Sequence, residues 1–232
     1  MKIHIFYSHY NVTGTDYKLR PIWFDYEKCF INLLSTIKEK DIDLHVVMDG
    51  KIEDNWIRKY KDMYITHEIV GGNMRDAGWQ MFKIALKSDT IKDDDLIYFL
   101  ENDYLHVPGW DKHVLDLYQT FNNLNYVTLY DHYDKYFSPI YDDLVSKIFV
   151  TNYYYWRTTP STCGSFIISK KLWKEDYNFH VSIEGDHNKW IAINQSKERF
   201  ILSPIPGLST HCMEGLLSPT IDWDQINELK TI

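Results

Sequence analysis

Long apolar runs are missing from this sequence. No stretch approaches the ~20 residues that a membrane-crossing helix requires, so no transmembrane segment is expected. Cysteine is scarce. Cys29, Cys163 and Cys212 form no CxxC pair and are odd in number, which argues against a disulfide framework and for a reducing compartment. The 7 prolines and 10 glycines gather into no linker or low-complexity tract, so one domain spanning 1–232 is expected. Positive charge is in deficit: 25 Lys and Arg against 33 Asp and Glu leave a formal net charge of −8. That is the wrong sign for a chain whose main partner is a nucleic-acid backbone. The amino terminus, MKIHIFYSHYN, has no continuous apolar core and no small-residue cleavage site, and reads as a buried strand instead of a secretory signal. Together these absences point to an intracellular, cytoplasmic protein.

Apolar and aromatic residues are abundant, at 44% and 16%, which is ample for a packed core. An AT-rich coding sequence would enrich tyrosine by itself. Aromatic faces also stack on the C–H faces of sugar rings, so the 18 Tyr and 8 Trp equally suit a carbohydrate cleft.

Strand and helix patterns alternate in the first half. Lys2–Tyr7, Asp43–Met48, Tyr64–Val70 and Leu96–Leu100 read as strands, and Trp23–Lys40, Asp54–Met63 and Asp76–Lys87 as helices. This βαβαβαβ order predicts a parallel sheet with helices on both faces. The second half is less regular. Tyr126–Tyr130, Cys163–Ser169 and Arg199–Ser203 are expected strands, and Leu172–Tyr177 and Asp186–Lys197 expected helices. An extended, Pro- and Gly-punctuated tail is expected after Pro204.

The sharpest local signal is LIYFLENDYLHVPGW, residues 96–110. An apolar strand runs straight into Glu101-Asn102-Asp103, at the carboxyl edge of a parallel sheet, where open α/β sheets bind ligands. Two carboxylates there suit a hard divalent cation, whose remaining positions diphosphate oxygens can fill. An anionic ligand on an acidic protein also needs such a cation.

This segment resembles the DxD motif of GT-A glycosyltransferases, in a form with acidic outer positions, followed by an aromatic residue and Pro108-Gly109-Trp110. The usual middle Asp is Asn102 here. The resemblance implies an α/β, GT-A (nucleotide-diphospho-sugar transferase) fold with a mostly parallel central sheet. Residues 1–110 would form the nucleotide-sugar-binding half, and 111–232 the acceptor half with a C-terminal metal-binding segment. It implies Asp103 as the direct ligand of Mn²⁺ (or Mg²⁺), with Glu101 acting through water or on the ribose and Asn102 near the donor. Nucleotide contacts are implied at Tyr7, Ser8, His9 and Asp49, and at Gly72, Asn73 and Arg75 within Gly71–Arg75. A late His completes the metal shell in many such enzymes, and His211 in PGLSTH matches that placement. Asn73 as a helix cap, and Asp49-Gly50 as a plain turn, remain open readings.

A narrower resemblance, to small bacterial and viral glycosyltransferase-like chains, rests on Arg20–Phe24, Glu101–Asp103, Tyr126–Tyr136, Trp156–Thr162, Pro206–His211 and Leu217–Trp223, in that order. It places Tyr104, Asp131, Trp156, Arg157, Thr158 and Ser161 toward the acceptor. An inverting reaction needs a carboxylate base. Asp186 and Glu184 in SIEGDHNKW are the candidates, with Asp131 and Asp134 behind them; Asp186 could instead cap a helix. The expected partners are a nucleoside-diphosphate-sugar donor and a glycan or other acceptor. A nucleotidyltransferase would need a Gly-rich basic loop after the first strand, and SHYNVTGTDYKLR is a poor match. A carbohydrate-binding or catalytically degenerate GT-A-like protein is the alternative reading.

Overall fold

The computed structural model describes residues 1–10 and 18–228. In chain order they form β1 (Ile3–Tyr10), α1 (Tyr26–Thr36), β2 (Ile42–Asp49), β3 (Ile65–Ile69), α2 (Met74–Lys87), β4 (Leu96–Glu101), β5 (Tyr104–His106), α3 (Trp110–Thr120) and β6 (Tyr126–Val127). There follow β7 (Ile148–Val150), β8 (Tyr155–Thr159), β9 (Phe166–Ser169), α4 (Lys170–Ser182), α5 (Asp186–Lys197), β10 (Ile201–Ile205), β11 (Ser209–His211) and α6 (Trp223–Glu228). Two 3₁₀ turns, Ile52–Asp54 and Trp56–Met63, replace the single helix expected at 54–63. No helix among the described residues is long and apolar enough to cross a membrane. Residues 11–17, most of the SHYNVTGTDYKLR run weighed above, lie outside the described residues.

The chain divides into two compact units: Met1–Thr15, Lys40–Asn102 and Cys163–Arg199 in the first, and Asp16–Glu39, Asp103–Thr162 and Phe200–Ile232 in the second. In the first unit the strand order is β3-β2-β1-β4-β9. β1 to β4 run parallel and β9 antiparallel to β4, so β4 is parallel on one side only. All four parallel strands therefore end on one edge, with Tyr10, Asp49, Ile69 and Glu101. β1 and β4 are apolar and almost fully buried, as strands covered on both faces must be. Their cover includes an aromatic cluster, with Phe82 and Trp173 at 4.8 and 4.7 Å from the Phe99 ring, and His180 and Trp190 at 5.0 and 5.2 Å from Phe166.

The second unit holds the order β6-β10-β8-β7, parallel only between β6 and β10, and a separate antiparallel ribbon of β5 and β11. α1 and α6 pack on β5. Cys29, Leu105, Cys212 and Trp223 form the buried centre of that layer, with Trp23, Phe24 and Ile226 against it.

Boundaries shift where side chains capture the backbone. α1 stops at Thr36, not Lys40, because the buried Asp111 carboxylate accepts from Lys38 N (2.7 Å) and Glu39 N (2.6 Å), pulling the chain out of the helix. α2 starts early, at Met74, because the Asn73 side chain caps Asp76 N at 2.9 Å. The strand expected over 126–130 makes a two-residue ladder.

Burial lowers the pKa of His9 and His45 to about 4, and that of His106 to about 3. Each is neutral in the folded chain at pH values where the unfolded chain, with a pKa of about 6.5, is protonated. Stability from these groups is therefore complete above about pH 6.5 and declines as pH falls toward 4. Urea unfolding at pH 7 and pH 4.5 should show a clearly lower midpoint at the acid pH, with an unchanged slope. Equal midpoints would contradict the burial of these rings.

Candidate active site

Three-residue strands are too short to announce themselves by pattern, yet the β5–β11 ribbon builds the site. Its register sets His211 opposite Tyr104 and Ser209 opposite His106, and Cys212 N donates to Asp103 O at 2.9 Å. Asp103 and His211, 108 residues apart, are thereby brought side by side, with Asp103 Oδ2 and His211 Nε2 at 2.9 Å.

Two cations converge on the same carboxylate. Lys18 Nζ donates to Asp103 Oδ2 at 2.7 Å and lies 3.1 Å from His211 Nε2. Arg20 Nη2 donates to Oδ2 at 2.9 Å, while its Nη1 donates to Cys212 O at 2.7 Å and its guanidinium covers the Phe24 ring at 4.3 Å. Tyr104 stacks flat on His211, with ring centroids 5.0 Å apart and planes 8° from parallel, and fixes the imidazole's attitude. Asp103 is 2% exposed. Burial opposes its charge, but the bond from His211, that ring's charge and the Lys18 ammonium outweigh burial and hold the carboxyl well below the usual carboxylate range.

The donor set fits a small divalent cation. Asp103 Oδ1 is buried and has no hydrogen-bond partner among the described residues, so lone pairs remain on a desolvated carboxylate. Asp103 Oδ2 and His211 Nε2 both lie within hydrogen-bond reach of the Lys18 ammonium, much as two ligand atoms share a metal. Their 2.9 Å separation suits adjacent ligands on an ion with bonds of about 2.1 Å. An imidazole in the set favours Mn²⁺ over Mg²⁺.

The other expected residues occupy more structural places. In the first unit, Asn102 is buried: its Nδ2 lies 3.1 Å from His9 Nδ1, and its carbonyl accepts from Tyr7 Oη at 3.3 Å. His9 Nε2 faces Asn55 Oδ1 at 3.0 Å, which assigns the ring proton to Nε2 and makes Nδ1 the acceptor. Tyr7, His9 and Asn102 thus lock the ends of β1 and β4 together. Ser8 stands opposite Glu101 in that ladder. Glu101 N donates to Ser165 Oγ at 3.0 Å, and the Glu101 carboxyl lies over Gly164, where an added Cβ would come within 3.1 Å of it. Asp49 closes the loop that follows β3, accepting from Gly71 N at 2.8 Å and Gly72 N at 3.2 Å; Gly72 sits at φ 73°, in the left-handed region. Asn73 is the α2 cap, and Arg75 pairs with Glu184 at 2.6 Å on an exposed surface. Asp186 opens α5 behind a Gly185 cap, 3.3 Å from Lys189.

In the second unit, β8 alternates: Tyr155 points out at 60% exposure and Trp156 is fully buried. Trp156 is core, not a sugar platform. Arg157 donates to Asp131 Oδ1 at 2.8 Å and Tyr136 Oη to Asp131 Oδ2 at 2.7 Å, so Asp131 sits in a closed, buried pair. Thr158 Oγ1 accepts from Lys147 N at 3.0 Å, and Ser161 Oγ lies 3.5 Å from Tyr141 Oη. Lys18 and Arg20 are the residues that sequence reasoning missed as site members. The only signal was the presence of Arg20 in the RPxWF run.

An α/β chain with parallel β1–β4, an acidic β4 end and a mostly parallel central sheet has the GT-A fold. No family model and no curated protein matches the chain. Among solved structures, S. aureus TarS 1–349 matches with 11% identity and a TM-score of 0.54, over 88% of this chain and 58% of that one. CMP:2-keto-3-deoxy-manno-octonic acid synthetase complexed with CTP matches with 10% identity and a TM-score of 0.53, over 89% and 92%. At such identities the likeness establishes the fold, and this chain spans little over half the length of the TarS chain.

Removing the Asp103 charge leaves Lys18 and Arg20 facing a neutral amide. Asp103→Asn should cost about 3–5 kcal/mol in urea unfolding. In a double-mutant cycle, Lys18→Met should cost less in the Asp103→Asn background than in the wild type. Strictly additive losses would show that Lys18 is not a partner of Asp103.

Proposed function

We propose that this chain is a glycosyltransferase that moves a sugar from a nucleoside-diphosphate sugar to an acceptor hydroxyl. The observation that carries this reading is the buried Asp103–His211 pair with Lys18 and Arg20 on the same carboxylate oxygen. Such a group of charges is costly to bury and suits an anionic ligand better than it serves stability. Asp103 and His211 would hold Mn²⁺ or Mg²⁺, which supplies positive charge toward the departing diphosphate when bound. Lys18 and Arg20 add two fixed positive charges beside it, offsetting the chain's net −8.

In the inverting form, the acceptor oxygen bonds to the anomeric carbon as the bond from that carbon to the diphosphate oxygen breaks. The acceptor's proton passes to a carboxylate. We assign that base to Asp186 over Glu184, because Arg75 holds Glu184 at 2.6 Å whereas Lys189 stands farther from Asp186, at 3.3 Å. The strand-end residues Tyr7, Ser8, His9, Asp49 and Glu101 are assigned to the nucleoside side of the donor. In the second unit the exposed tyrosines Tyr153 and Tyr155, not Trp156, are assigned to the acceptor.

Thermal shift with UDP, GDP, TDP and CMP, with and without Mn²⁺, tests the reading. Ligands that bind only the folded chain raise its melting temperature. One nucleoside diphosphate should do so only with Mn²⁺, and should lose the effect in His211→Ala. No shift with any nucleotide in folded protein would overturn the proposal and favour a carbohydrate-binding role. With the donor known, Asp186→Asn should lower kcat by about 10²–10⁴ with little change in KM. A kcat within twofold of wild type would remove Asp186 from the role.

A further inference from the structure

Imidazoles gather at the other edge of the first unit's sheet. His4 stands near the start of β1, Asp43 near the start of β2, and the two are register partners. His45 follows on the same face of β2, and His67, the register partner of Val47, lies on that face of β3. His4 Nδ1 lies 3.4 Å from His45 Nε2 and 3.6 Å from Asp43 Oδ2, and all three ligand atoms fall within 4.8 Å of one another.

We infer that His4, His45 and Asp43 form a three-ligand site for a four-coordinate transition-metal ion, Zn²⁺ by preference, separate from the Asp103–His211 centre. Three features carry it. Ligand atoms around tetrahedral Zn²⁺ stand about 3.3 Å apart, given bonds of about 2.0–2.1 Å. Two of the three separations already lie at 3.4 and 3.6 Å. One of the nitrogens pointing away from the centre has the outer partner that a metal-bound imidazole needs: His45 Nδ1 lies 3.1 Å from His67 Nε2, while His4 Nε2 stands 3.6 Å from Asp95 Oδ2, beyond hydrogen-bond distance. Both ligand imidazoles are nearly buried, at 2% and 5% exposure, while the Asp43 side chain is 33% exposed and opens a way in from solvent. Lys2 Nζ holds Asp43 Oδ2 at 2.6 Å and is the group a metal must displace.

Cobalt provides the readout, because four-coordinate Co²⁺ has visible bands far stronger than those of the six-coordinate aqueous ion. The full chain, stripped with EDTA and returned to chelator-free buffer, is titrated with Co²⁺ and then competed with Zn²⁺. One equivalent of tetrahedral Co²⁺ should bind and be displaced by Zn²⁺, without the near-ultraviolet charge-transfer band of a thiolate ligand. The signal should persist in Asp103→Asn, weaken at least ~10-fold in Asp43→Asn and His45→Gln, and strengthen in Lys2→Met. If His45→Gln does not fold, the part-exposed Asp43→Asn decides alone. Absence of tetrahedral bands in the wild type, their persistence at full affinity in Asp43→Asn, or their loss in folded Asp103→Asn would each overturn the assignment.

Discussion

One buried carboxylate sets the terms for the second unit. A charge at 2% exposure is tolerated only when partners replace its water. Asp103 draws three of them onto Oδ2: Lys18, Arg20 and His211. Lys18 and Arg20 come together from the segment that precedes α1, and His211 from the other end of the second unit's sequence. His211 comes with β11, whose register on β5 is fixed by the bonded pair Cys212 N to Asp103 O. A slip of one residue would turn His211 to the opposite face of the ribbon, since strand side chains alternate. Arg20 is held from the far side by Cys212 O and the Phe24 ring. The ribbon is pinned in turn by α1 and α6 through Cys29, Leu105, Cys212 and Trp223. Packing of an apolar layer thus decides the position of a polar pair.

The parts legible in the sequence were those carried by long patterns or by a change of pattern. β1, β2, β4, α2 and α5 show themselves in apolar runs or helical spacing, and Asp103 stands out because acid follows such a run without transition. The pairing of Asp103 with His211 was read from resemblance, and the ribbon that enforces it was not, because three residues carry no period. Lys18 and Arg20 escaped because a basic residue in a loop has no local sign of its target. The error at Trp156 has a plainer cause. In Tyr155-Trp156-Arg157 the first residue is exposed and the next two are buried, and an aromatic count cannot tell which aromatic faces in. The sequence offers Asp131 as an acceptor contact and reserve base; its pair with Arg157 depends on a contact 26 residues apart.

Electrostatics links the site to the composition. On the function proposed above, a chain of net charge −8 would repel the donor's diphosphate on approach. The repulsion is answered locally by two basic side chains on one buried acid, with further room for a cation on Asp103 Oδ1. Lys18 bridges the two atoms that a metal would take, so the ammonium and the ion are alternatives at Oδ2 and Nε2.

The first unit shows how parallel topology sorts chemistry by edge. Because β1 to β4 run the same way, their carboxyl ends bring Asp49, Asn102 and Glu101 together, and their starts bring His4, Asp43, Asp95 and His45 together. Oxygen groups on the first edge suit hard cations and phosphate partners; imidazoles on the second suit softer metals. Five residues of β1 separate His4 from His9, on the order of 15 Å at the rise of a strand. Neither edge needs to exclude the other's ion by shape, because the ligand types already discriminate. His67, behind His45, extends the imidazole row to a third strand. A metal bound at His4 and His45 would therefore tie β1 to β2 directly and brace β3 through an outer hydrogen bond, stiffening the sheet at the end farthest from Glu101.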